Sequence, residues 1–471
     1  MSIRSSQRLL AHAALALVLP GSVLGGFAAS SPPDPSDWPQ WGGPNRNFTI
    51  SSAALASSWP SGGPKKLWSR ALGEGYSGIV AENGRLYTMY RLPARFWQIG
   101  RQDQEIVIAL DAATGRTIWE HSYDAPLLDR MNVEYGPGPH STPLIVGDRI
   151  FAIGATGKFH AIDKTTGRVL WSHDLFSEFG VIWGRGYSCS PIAYKGTVII
   201  TTGKAGKSVM AFNQADGAIA WQKQNFDYGP SSPILITVEG RAAPAPAGKA
   251  GKAGKAAKAK ARGRTPESER QEQLVIFMAE EIAGLNPASG ELLWRHPHKT
   301  DWGLNISTPL WIGGANPRTP QDDNLLFCSS AYNTGSRMLQ LTLAAGKTTV
   351  EELWFNNRMR IHIGNAVYSN GYVLGSSGDF GPAFLTAVEA RTNKEAWRDR
   401  TFSRASLILA GDKLIILDED GTLALATASP ERLQILAQAQ IFNGRAWTPP
   451  TLVGSHLFAR DRATILALDL S

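Results

Sequence analysis

Nine aromatic and polar side chains could form a binding site, because each belongs to a short segment that leads into a run of β-forming residues. The segments "GYS" at 75, "GPHSTP" at 138 and "GLNISTP" at 303 are examples. Aromatic faces with a few converging polar groups suit a planar or extended ligand. The alternative is that these side chains fill an interior channel and hydrogen-bond one another. The nine candidate ligand-binding residues are Tyr76, His140, Tyr187, Tyr228, Asn305, His362, Asn365, Arg404 and Trp447.

Residue patterns typical of catalysis are missing from this sequence. It has no P-loop, GxSxG or HExxH motif, and no CxxCH, which excludes covalently attached c-type haem. His296 and His298 have the spacing to begin a metal site, but we predict that they lie in a solvated loop at the rim. Cys189 and Cys328 lie in apolar runs and are predicted to be buried free thiols. We therefore predict no catalytic residue and no metal site.

A ten-residue frame recurs along the chain and must position these residues. It reads "LDAATGRTIW" at 110, "IDKTTGRVLW" at 162, "FNQADGAIAW" at 212, "LNPASGELLW" at 285 and, weakened, "VEARTNKEAW" at 388. The first three tryptophans are 52 and 50 residues apart, and the next interval is 73 residues. Residues 241 to 266, a Lys/Ala/Gly/Pro tract that cannot form a core, account for the excess. A period near 50 residues indicates a repeat architecture.

Each repeat reads as four antiparallel β-strands. Residues 140 to 175 contain the runs "PLIV", "RIFAIG", "KFHAID" and "RVLW", joined by glycine-containing turns. A repeated four-stranded unit of this size is typical of a propeller blade. Seven repeats lie near 77–123, 140–175, 189–225, 231–298, 307–359, 364–402 and 404–442. We predict that a tryptophan on the outer strand packs flat against the next blade, at Trp68, Trp119, Trp171, Trp221, Trp294, Trp354 and Trp397.

The two chain termini together supply an eighth blade. After the seventh repeat the chain ends with three β-forming runs and lacks a fourth, while "PKKLWSRAL" at 64–72 is an outer strand with nothing before it to pair with. Placing Trp68 beside Leu466 and Leu468 closes the ring and removes open sheet edges. The fold prediction is all-β, a single eight-bladed propeller of four-stranded antiparallel blades over residues 30–471, closed by an N-terminal strand. The nine candidate residues then converge on one mouth of the central channel.

The sequence also resembles a known family. The "DxxTGxxxW" frame, the pair "STPLIVGDRIFAIG", the opening "DWPQWGGPNRN" at 37–47 and the closing "WTPPTLVGSHLFARD" are similar to the bacterial PQQ-like β-propeller repeat family. The resemblance covers essentially the whole mature chain and implies the fold more strongly than any cofactor. Some members are quinoprotein dehydrogenases, which hold pyrroloquinoline quinone (PQQ) on the propeller axis. Another, the assembly lipoprotein BamB, has the fold and no cofactor.

Two functions follow from this resemblance. The dehydrogenases share a pair of adjacent cysteines, a calcium site of Glu, Asn and Asp, and an aspartate base. Here Cys189 and Cys328 are not adjacent, and acidic residues such as Asp301 are scattered. We predict a non-catalytic binding or assembly scaffold without cofactor, which binds a protein or peptide partner and has room for a small-molecule ligand at the channel mouth. The alternative is a periplasmic PQQ-dependent oxidoreductase of alcohols or sugars, with PQQ and calcium as cofactors.

Charge and the N-terminus indicate where the protein works. Residues 1–28 have the features of a signal peptide: Arg4 and Arg8, an apolar run, then small residues. No lipid-accepting cysteine follows and no other run is long enough to span a membrane, so we predict a location in the periplasm or outside the cell. We also predict a monomer. Of the formal charge of +7, eight positive charges lie in 241–266, which leaves −1 elsewhere. We interpret that tract as a disordered basic insertion and predict no nucleic-acid partner.

Overall fold

The structure is a computed structural model that describes residues 37–51, 54–93, 103–129, 131–181, 183–240, 269–314, 323–379 and 381–471. The predicted signal peptide 1–28 and the predicted insertion 241–266 lie outside these residues. No helix of the described chain is long and apolar enough to cross a membrane.

Eight sheets form the blades of a propeller, each with four antiparallel strands, which confirms the predicted fold class; the sheet of blade 7 has a fifth, parallel strand, Thr49–Ile50. In blades 1 to 7 the strands follow chain order from the channel outward, so each blade has an inner, a second, a third and an outer strand. The strands are, for blade 1, Val80–Glu82, Arg85–Leu92, Gln104–Asp111 and Thr117–Asp124; for blade 2, Leu144–Val146, Arg149–Ile153, Lys158–Asp163 and Val169–Asp174; for blade 3, Ile192–Tyr194, Thr197–Thr201, Val209–Asn213 and Ile219–Lys223; for blade 4, Ile234–Glu239, Arg270–Phe277, Glu281–Leu285 and Leu292–Pro297; for blade 5, Leu310–Ile312, Leu325–Ser330, Gly335–Ala344 and Lys347–Asn356; for blade 6, Ile361–Ser369, Tyr372–Ser377, Phe384–Glu389 and Glu395–Asp399; for blade 7, Ala405–Ala410, Lys413–Asp418, Thr422–Ala428 and Leu433–Gln440; and for blade 8, Thr451–Val453, His456–Arg460, Thr464–Asp469 and Lys65–Ala71. A short helix, Leu175–Phe179, follows blade 2.

The core lies between neighbouring blades. In the second strand of blade 2, Ile150, Phe151, Ala152 and Ile153 are all fully buried, whereas the outer strand of blade 1 alternates buried and exposed residues. A strand covered on both faces reads as a continuous apolar run, and an outer strand with one covered face alternates. The apolar runs of the sequence are therefore second and third strands.

The ten-residue frame builds a turn that receives a tryptophan from the preceding blade. The Asp111 carboxylate accepts hydrogen bonds from the backbone N–H and hydroxyl of Thr114, at 2.8 and 2.6 Å. Gly115 follows with a φ of 69°, and a Cβ there would lie 2.6 Å from the Trp68 ring. Trp68 Nε1 donates to the carbonyl of Ala112 at 2.9 Å. Glycine is required at this position by its backbone conformation and by the close approach of the indole.

The same contact recurs around the ring with one departure. Trp119, Trp171, Trp354 and Trp397 each donate their indole N–H to a carbonyl of the next blade, and Trp221 packs on Gly290 of blade 4. Trp294 instead donates to Gln273 of its own blade at 2.6 Å. Blade 5 lacks the ten-residue frame; blade 7 lacks it too, yet its Ser429 carbonyl still accepts from Trp397.

The chain closes its ring as the sequence predicts. Strand Lys65–Ala71 pairs antiparallel with Thr464–Asp469, with Trp68 opposite Ala467 and Ser69 opposite Leu466. One continuous apolar cluster accordingly spans blades 6, 7, 8 and 1. Closure pairs what would otherwise be an open edge of blade 8.

The segment of residues 37–50, which we call the plug, fills one end of the central channel. Trp38 exchanges two backbone hydrogen bonds of 2.9 Å with Ala81 of blade 1, and Ile145 of blade 2 donates to Pro39 at 2.9 Å. Further along, Thr49–Ile50 pairs in parallel with Leu409 and Ala410 at the inner edge of blade 7. Because these partners lie on the inner strands, past the segments that lead in from the mouth, the plug lies deeper in the channel than the mouth.

Two side chains fix the middle of the plug. Arg46 donates to the carbonyls of Pro191 at 3.0 Å and Ser190 at 3.3 Å in blade 3, and burial lowers its pKa to about 9. Trp41 Nε1 donates to the Thr308 hydroxyl of blade 5 at 2.8 Å. One alternative from the sequence is that the nine candidate side chains fill the channel. Here a backbone segment, the plug, fills part of it instead.

Candidate functional site

A pocket of about 390 Å³ opens at the channel mouth, where the segments that precede the inner strands converge. The plug supplies its floor through Trp41. Five of the nine predicted residues line it, namely Tyr76, His140, Tyr228, His362 and Trp447.

Hydroxyl groups before prolines hold the converging segments in register. Gly78 N–H donates to Thr142 Oγ1 at 3.0 Å, Thr142 N–H to Ser190 Oγ at 3.0 Å, and Ser190 N–H to Ser232 Oγ at 2.9 Å. Each acceptor precedes a proline, which keeps the preceding residue extended. On the other flank of blade 1, toward blade 8, the Thr448 hydroxyl donates to the carbonyl of Tyr76 at 3.0 Å. The recurring Ser/Thr-Pro pairs thus join neighbouring inner strands at the mouth.

One wall of the pocket is a group of contacting rings. Tyr76 stacks on His140, with ring centroids 6.0 Å apart and planes at 12°, and its ring centroid lies 5.2 Å from that of Trp447. Tyr135 contacts the Trp447 ring as well, at 5.7 Å. Burial lowers the pKa of His140 to about 4 and raises the pKa of Tyr76. Both rings are therefore neutral near pH 7, and this wall is apolar and uncharged.

A chain of hydrogen bonds runs behind the pocket from blade 5 to the segment before blade 8. Burial and then the Arg404 charge lower the pKa of His362 to about 4, so its imidazole is neutral. Arg404 donates to His362 Nδ1 at 3.0 Å, which leaves the proton on Nε2 to donate to the Tyr332 hydroxyl at 2.7 Å. Arg404 also pairs with Glu419 at 3.0 Å, and Glu419 accepts from Trp447 Nε1 at 2.7 Å. Arg404 is thus a positioning residue for two rings that line the pocket.

Four of the predicted residues do not line the pocket. Arg404 lies behind it, and Tyr187 is fully buried with its ring 4.7 Å from that of Trp183. Asn305 donates to the carbonyl of Met278 at 2.6 Å and accepts from Ser330 at 2.5 Å. Asn365 pairs with the backbone of Leu407 through two 2.9 Å hydrogen bonds. These asparagines join strands and loops, because their amides satisfy buried backbone groups.

Other lining residues were not among the nine. They lie in the plug, in the linkers between blades and in one hairpin of blade 5: Trp41, Asn132, Tyr135, Trp183, Arg185, Trp302 and Tyr332. Trp302 is 62% exposed, with its ring 6.5 Å from that of Tyr332. Trp41, Trp183 and Trp302 lie outside the ten-residue frame, but this does not single them out, because Trp183 also joins blades 2 and 3 through Gly157 and the carbonyl of Thr202.

Comparison with known proteins now gives the family. A family model described as "Outer membrane protein assembly factor BamB" matches residues 102–363, more than half of the chain. The chain belongs to this PQQ-like β-propeller family. No curated protein that was compared matches it.

Solved structures of similar fold include enzymes and an assembly factor. A quinohemoprotein alcohol dehydrogenase from Comamonas testosteroni is 14% identical with a TM-score of 0.57, covering 92% of this chain and 80% of that one. One from Pseudomonas putida HK5 is also 14% identical, with a TM-score of 0.59 and coverages of 93% and 80%. BamB from Moraxella catarrhalis is 16% identical with a TM-score of 0.49, covering 86% and 99%. At 14% identity the two dehydrogenase structures show the propeller fold alone.

The donor set of the pocket does not fit the calcium-bound quinone held by some members of the family. Calcium takes six to eight oxygen ligands, usually with carboxylates among them. Among the residues that the structure describes, the pocket lining contains no aspartate or glutamate, and its charged side chain is Arg185. Glu419 stands behind Trp447 and is only 7% exposed, with both oxygens bonded to Arg404 or Trp447. No group of three His, Cys, Asp or Glu residues in the described ranges could hold a metal ion.

The histidine pair and the cysteines are structural. The prediction of a solvated loop for His296 and His298 was wrong: His296 is in the outer strand of blade 4, and His298 is 1% exposed. Arg337 of blade 5 donates to His298 Nδ1 at 2.8 Å, and burial lowers the pKa of His298 to about 3. The pair therefore joins blades 4 and 5. Cys189 and Cys328 are buried free thiols, as the sequence predicts.

Proposed function

We propose that this protein is an exported, non-catalytic binding propeller that acts as an assembly scaffold and holds an extended apolar segment of a partner polypeptide at its channel mouth. The observation that carries the proposal is an aromatic pocket closed at its floor by Trp41 and flanked by the exposed ring of Trp302. Large exposed aromatic side chains beside a concave, largely apolar surface are typical of binding sites. The family description, an outer membrane protein assembly factor, agrees with this role.

The chemistry of the lining supports binding over catalysis. The two histidines of the pocket have pKa values lowered to about 4 by burial, well below the range in which a general base works near pH 7. Burial raises the pKa of Tyr228 far above its usual value, and its hydroxyl accepts from the Ser188 N–H at 3.0 Å. These groups are suited to hydrogen bonding and packing. Residues 1–28 support a location in the periplasm or outside the cell, where we expect a monomer.

Calorimetry with a short, terminally blocked peptide of alternating Phe and Ser tests the proposal. We expect binding that is lost when the Phe residues are replaced by Ala. Trp302→Ala should weaken binding by roughly 30-fold, the effect of removing a side chain worth about 2 kcal/mol at an interface. Ile219→Ala, which truncates another exposed apolar residue on the outer strand of blade 3, is the matched control and should change nothing. Equal affinity for the Phe and Ala peptides would contradict the proposed site.

The oxidoreductase alternative has its own test. The purified protein is incubated with PQQ and calcium, and dye-linked oxidation of ethanol or glucose is followed. Because the described lining offers calcium no carboxylate, we expect no oxidation above that of the free cofactor. Oxidation that depends on the protein and is lost in Trp447→Ala would replace the scaffold proposal with the enzymatic one.

A further inference from the structure

A second surface, on the rim of the propeller, combines arginines with phenylalanines. Two adjoining depressions of about 490 and 320 Å³ share Asn357 and Arg358. The first extends to Phe355 on the outer strand of blade 5, and the second to Arg360 and Phe384 at blade 6. We call this surface the arginine groove, and define it as residues 355–360 with Asp379, Phe384, Glu395, Arg398 and Arg400.

Two of its arginines are held in place by an aromatic ring. Arg398 lies in the outer strand of blade 6, which ends at Asp399, and Arg400 follows directly after it. Their guanidinium carbons are 5.0 and 4.8 Å from the Phe384 ring centroid. Cation–π contact at this distance orients a guanidinium without neutralising it. The ring therefore presents both charges to the groove.

The positive charges of the groove exceed its carboxylates. Arg360 pairs with Asp379 at 3.7 Å, and Arg398 pairs with Glu395 at 2.5 Å. Arg358 and Arg400 are exposed, and within the described ranges neither has a carboxylate within 4.0 Å. Arg358 thus lies in the groove and Arg400 lies beside it, over the Phe384 ring, and both are uncompensated.

We propose that the arginine groove binds an acidic, extended polypeptide segment of a partner protein. Carboxylates of such a segment would pair with Arg358 and Arg400, since arginine presents several N–H donors in a geometry that matches carboxylate. Phe355, which is 45% exposed, offers an apolar contact at one end. The exposed side chain of Asn357, which lines both depressions, offers hydrogen bonds.

Local charge favours a peptide over a nucleic acid. Nucleic-acid binding requires a broad basic face that follows many phosphates. Here Asp379 and Glu395 stand among the arginines, and the chain outside 241–266 has a formal charge of −1. A short acidic peptide with an apolar residue matches this alternation of charge and phenylalanine. This site is separate from the mouth pocket and does not depend on the function proposed for it.

Fluorescence anisotropy with a fluorescein-labelled peptide of Asp, Glu and interspersed Phe tests the proposal. The full chain should bind this peptide, with affinity that falls as salt rises through about 0.15 M. Arg358→Glu/Arg400→Glu should weaken binding at least about tenfold, because each reversal turns an attraction into a repulsion. Arg116→Glu/Arg168→Glu changes the net charge identically on the exposed turns of blades 1 and 2, and should leave the affinity within about twofold.

Several outcomes would overturn the proposal. Equal weakening by both double variants would show general charge attraction in place of a site. Equally tight, competitive binding of an oligothymidylate of matched charge would show an unselective anion surface. The substituted arginines are exposed, so we expect unchanged thermal melting; if the Glu variant fails to fold, Arg358→Gln/Arg400→Gln provides the same comparison, and unchanged peptide affinity in it would also contradict the site. Trp302→Ala should leave this binding intact, which separates it from the mouth pocket.

Discussion

The two ends of the central channel are closed by different means. At one end the plug makes backbone hydrogen bonds to blades 1, 2 and 7 and side-chain hydrogen bonds to blades 3 and 5. At the mouth, rings meet across a pocket of about 390 Å³, and Trp302 is left 62% exposed. The plug packs against the inner strands, whereas the mouth retains an open pocket.

This difference separates stability from binding within one channel. The plug joins five blades through its backbone and side-chain hydrogen bonds, and so stabilises the ring. An aromatic pocket with hydrogen-bonded walls and unfilled space costs stability, since its rings lack contacts on one side. We therefore expect changes at the plug end to alter mainly the free energy of unfolding, and changes at the mouth to alter mainly binding. Trp41 belongs to both regions.

The largest effect is expected from removing the plug together with the closing strand. A chain that begins at Ser77 loses the plug, the outer strand of blade 8 and the burial of Trp68. Loss of one large aromatic side chain alone costs roughly 3 to 5 kcal/mol. Thermal melting of this chain should therefore be far below that of a chain beginning at Asp37, which keeps both elements. Melting within about two degrees would refute ring closure as a source of stability.

A pair of tryptophan truncations sharpens the comparison. Trp41→Ala removes the hydrogen bond to Thr308 and the ring that floors the pocket, so it should lower the free energy of unfolding by about 2 to 4 kcal/mol and also weaken peptide binding. Trp302→Ala removes an exposed ring and should change stability by less than about 0.5 kcal/mol while weakening binding strongly. Urea unfolding and calorimetry measure the two quantities. Equal losses of stability would show that plug and mouth are one structural unit.

The sequence predicted the blades because their signals are local. Asp111, Thr114, Gly115 and the indole of Trp68 define one turn and one contact, and the same frame repeats at a constant period. The plug has no such signal, because its partners are spread over five blades. For this reason the segment "DWPQWGGPNRN" indicates only a family resemblance and does not predict the plug.

The mouth was predicted in part, for a related reason. Position along the chain gives the segments that converge there, but which side chain faces the pocket depends on local backbone direction. Tyr187 is fully buried while its neighbour Ser188 lines the pocket, and Asn305 is buried while Leu304 and Ile306 line it. Alternation along the backbone accounts for these two segments, whereas His362, Ile363 and Gly364 line the pocket consecutively. The sequence does not determine which alternate set faces the pocket, so it gives no reason to leave Tyr187 and Asn305 out of the predicted set.

The smallest effect concerns pH, and it distinguishes the mouth from the fold. His362 has a pKa lowered to about 4 by burial, against about 6.5 in an unfolded chain. Between these values the unfolded state binds the proton and the folded state does not, so stability is complete above about pH 6.5 and falls as the pH drops toward 4. Each pH unit in this window costs at most about 1.4 kcal/mol for one histidine.

Peptide affinity, by contrast, should stay within about twofold between pH 8 and 5.5, because the imidazole at the mouth remains neutral. Urea unfolding as a function of pH measures the slope of stability against pH. In His362→Gln the amide can accept from Arg404 and donate to Tyr332, so the variant keeps both hydrogen bonds. It should reduce the slope without abolishing it, because His160 and His298 are also buried with lowered pKa values. An unchanged slope in His362→Gln would show that burial does not lower the pKa of His362. A binding affinity that follows the same pH profile as stability would show that the mouth is disrupted together with the fold and is not a rigid pocket.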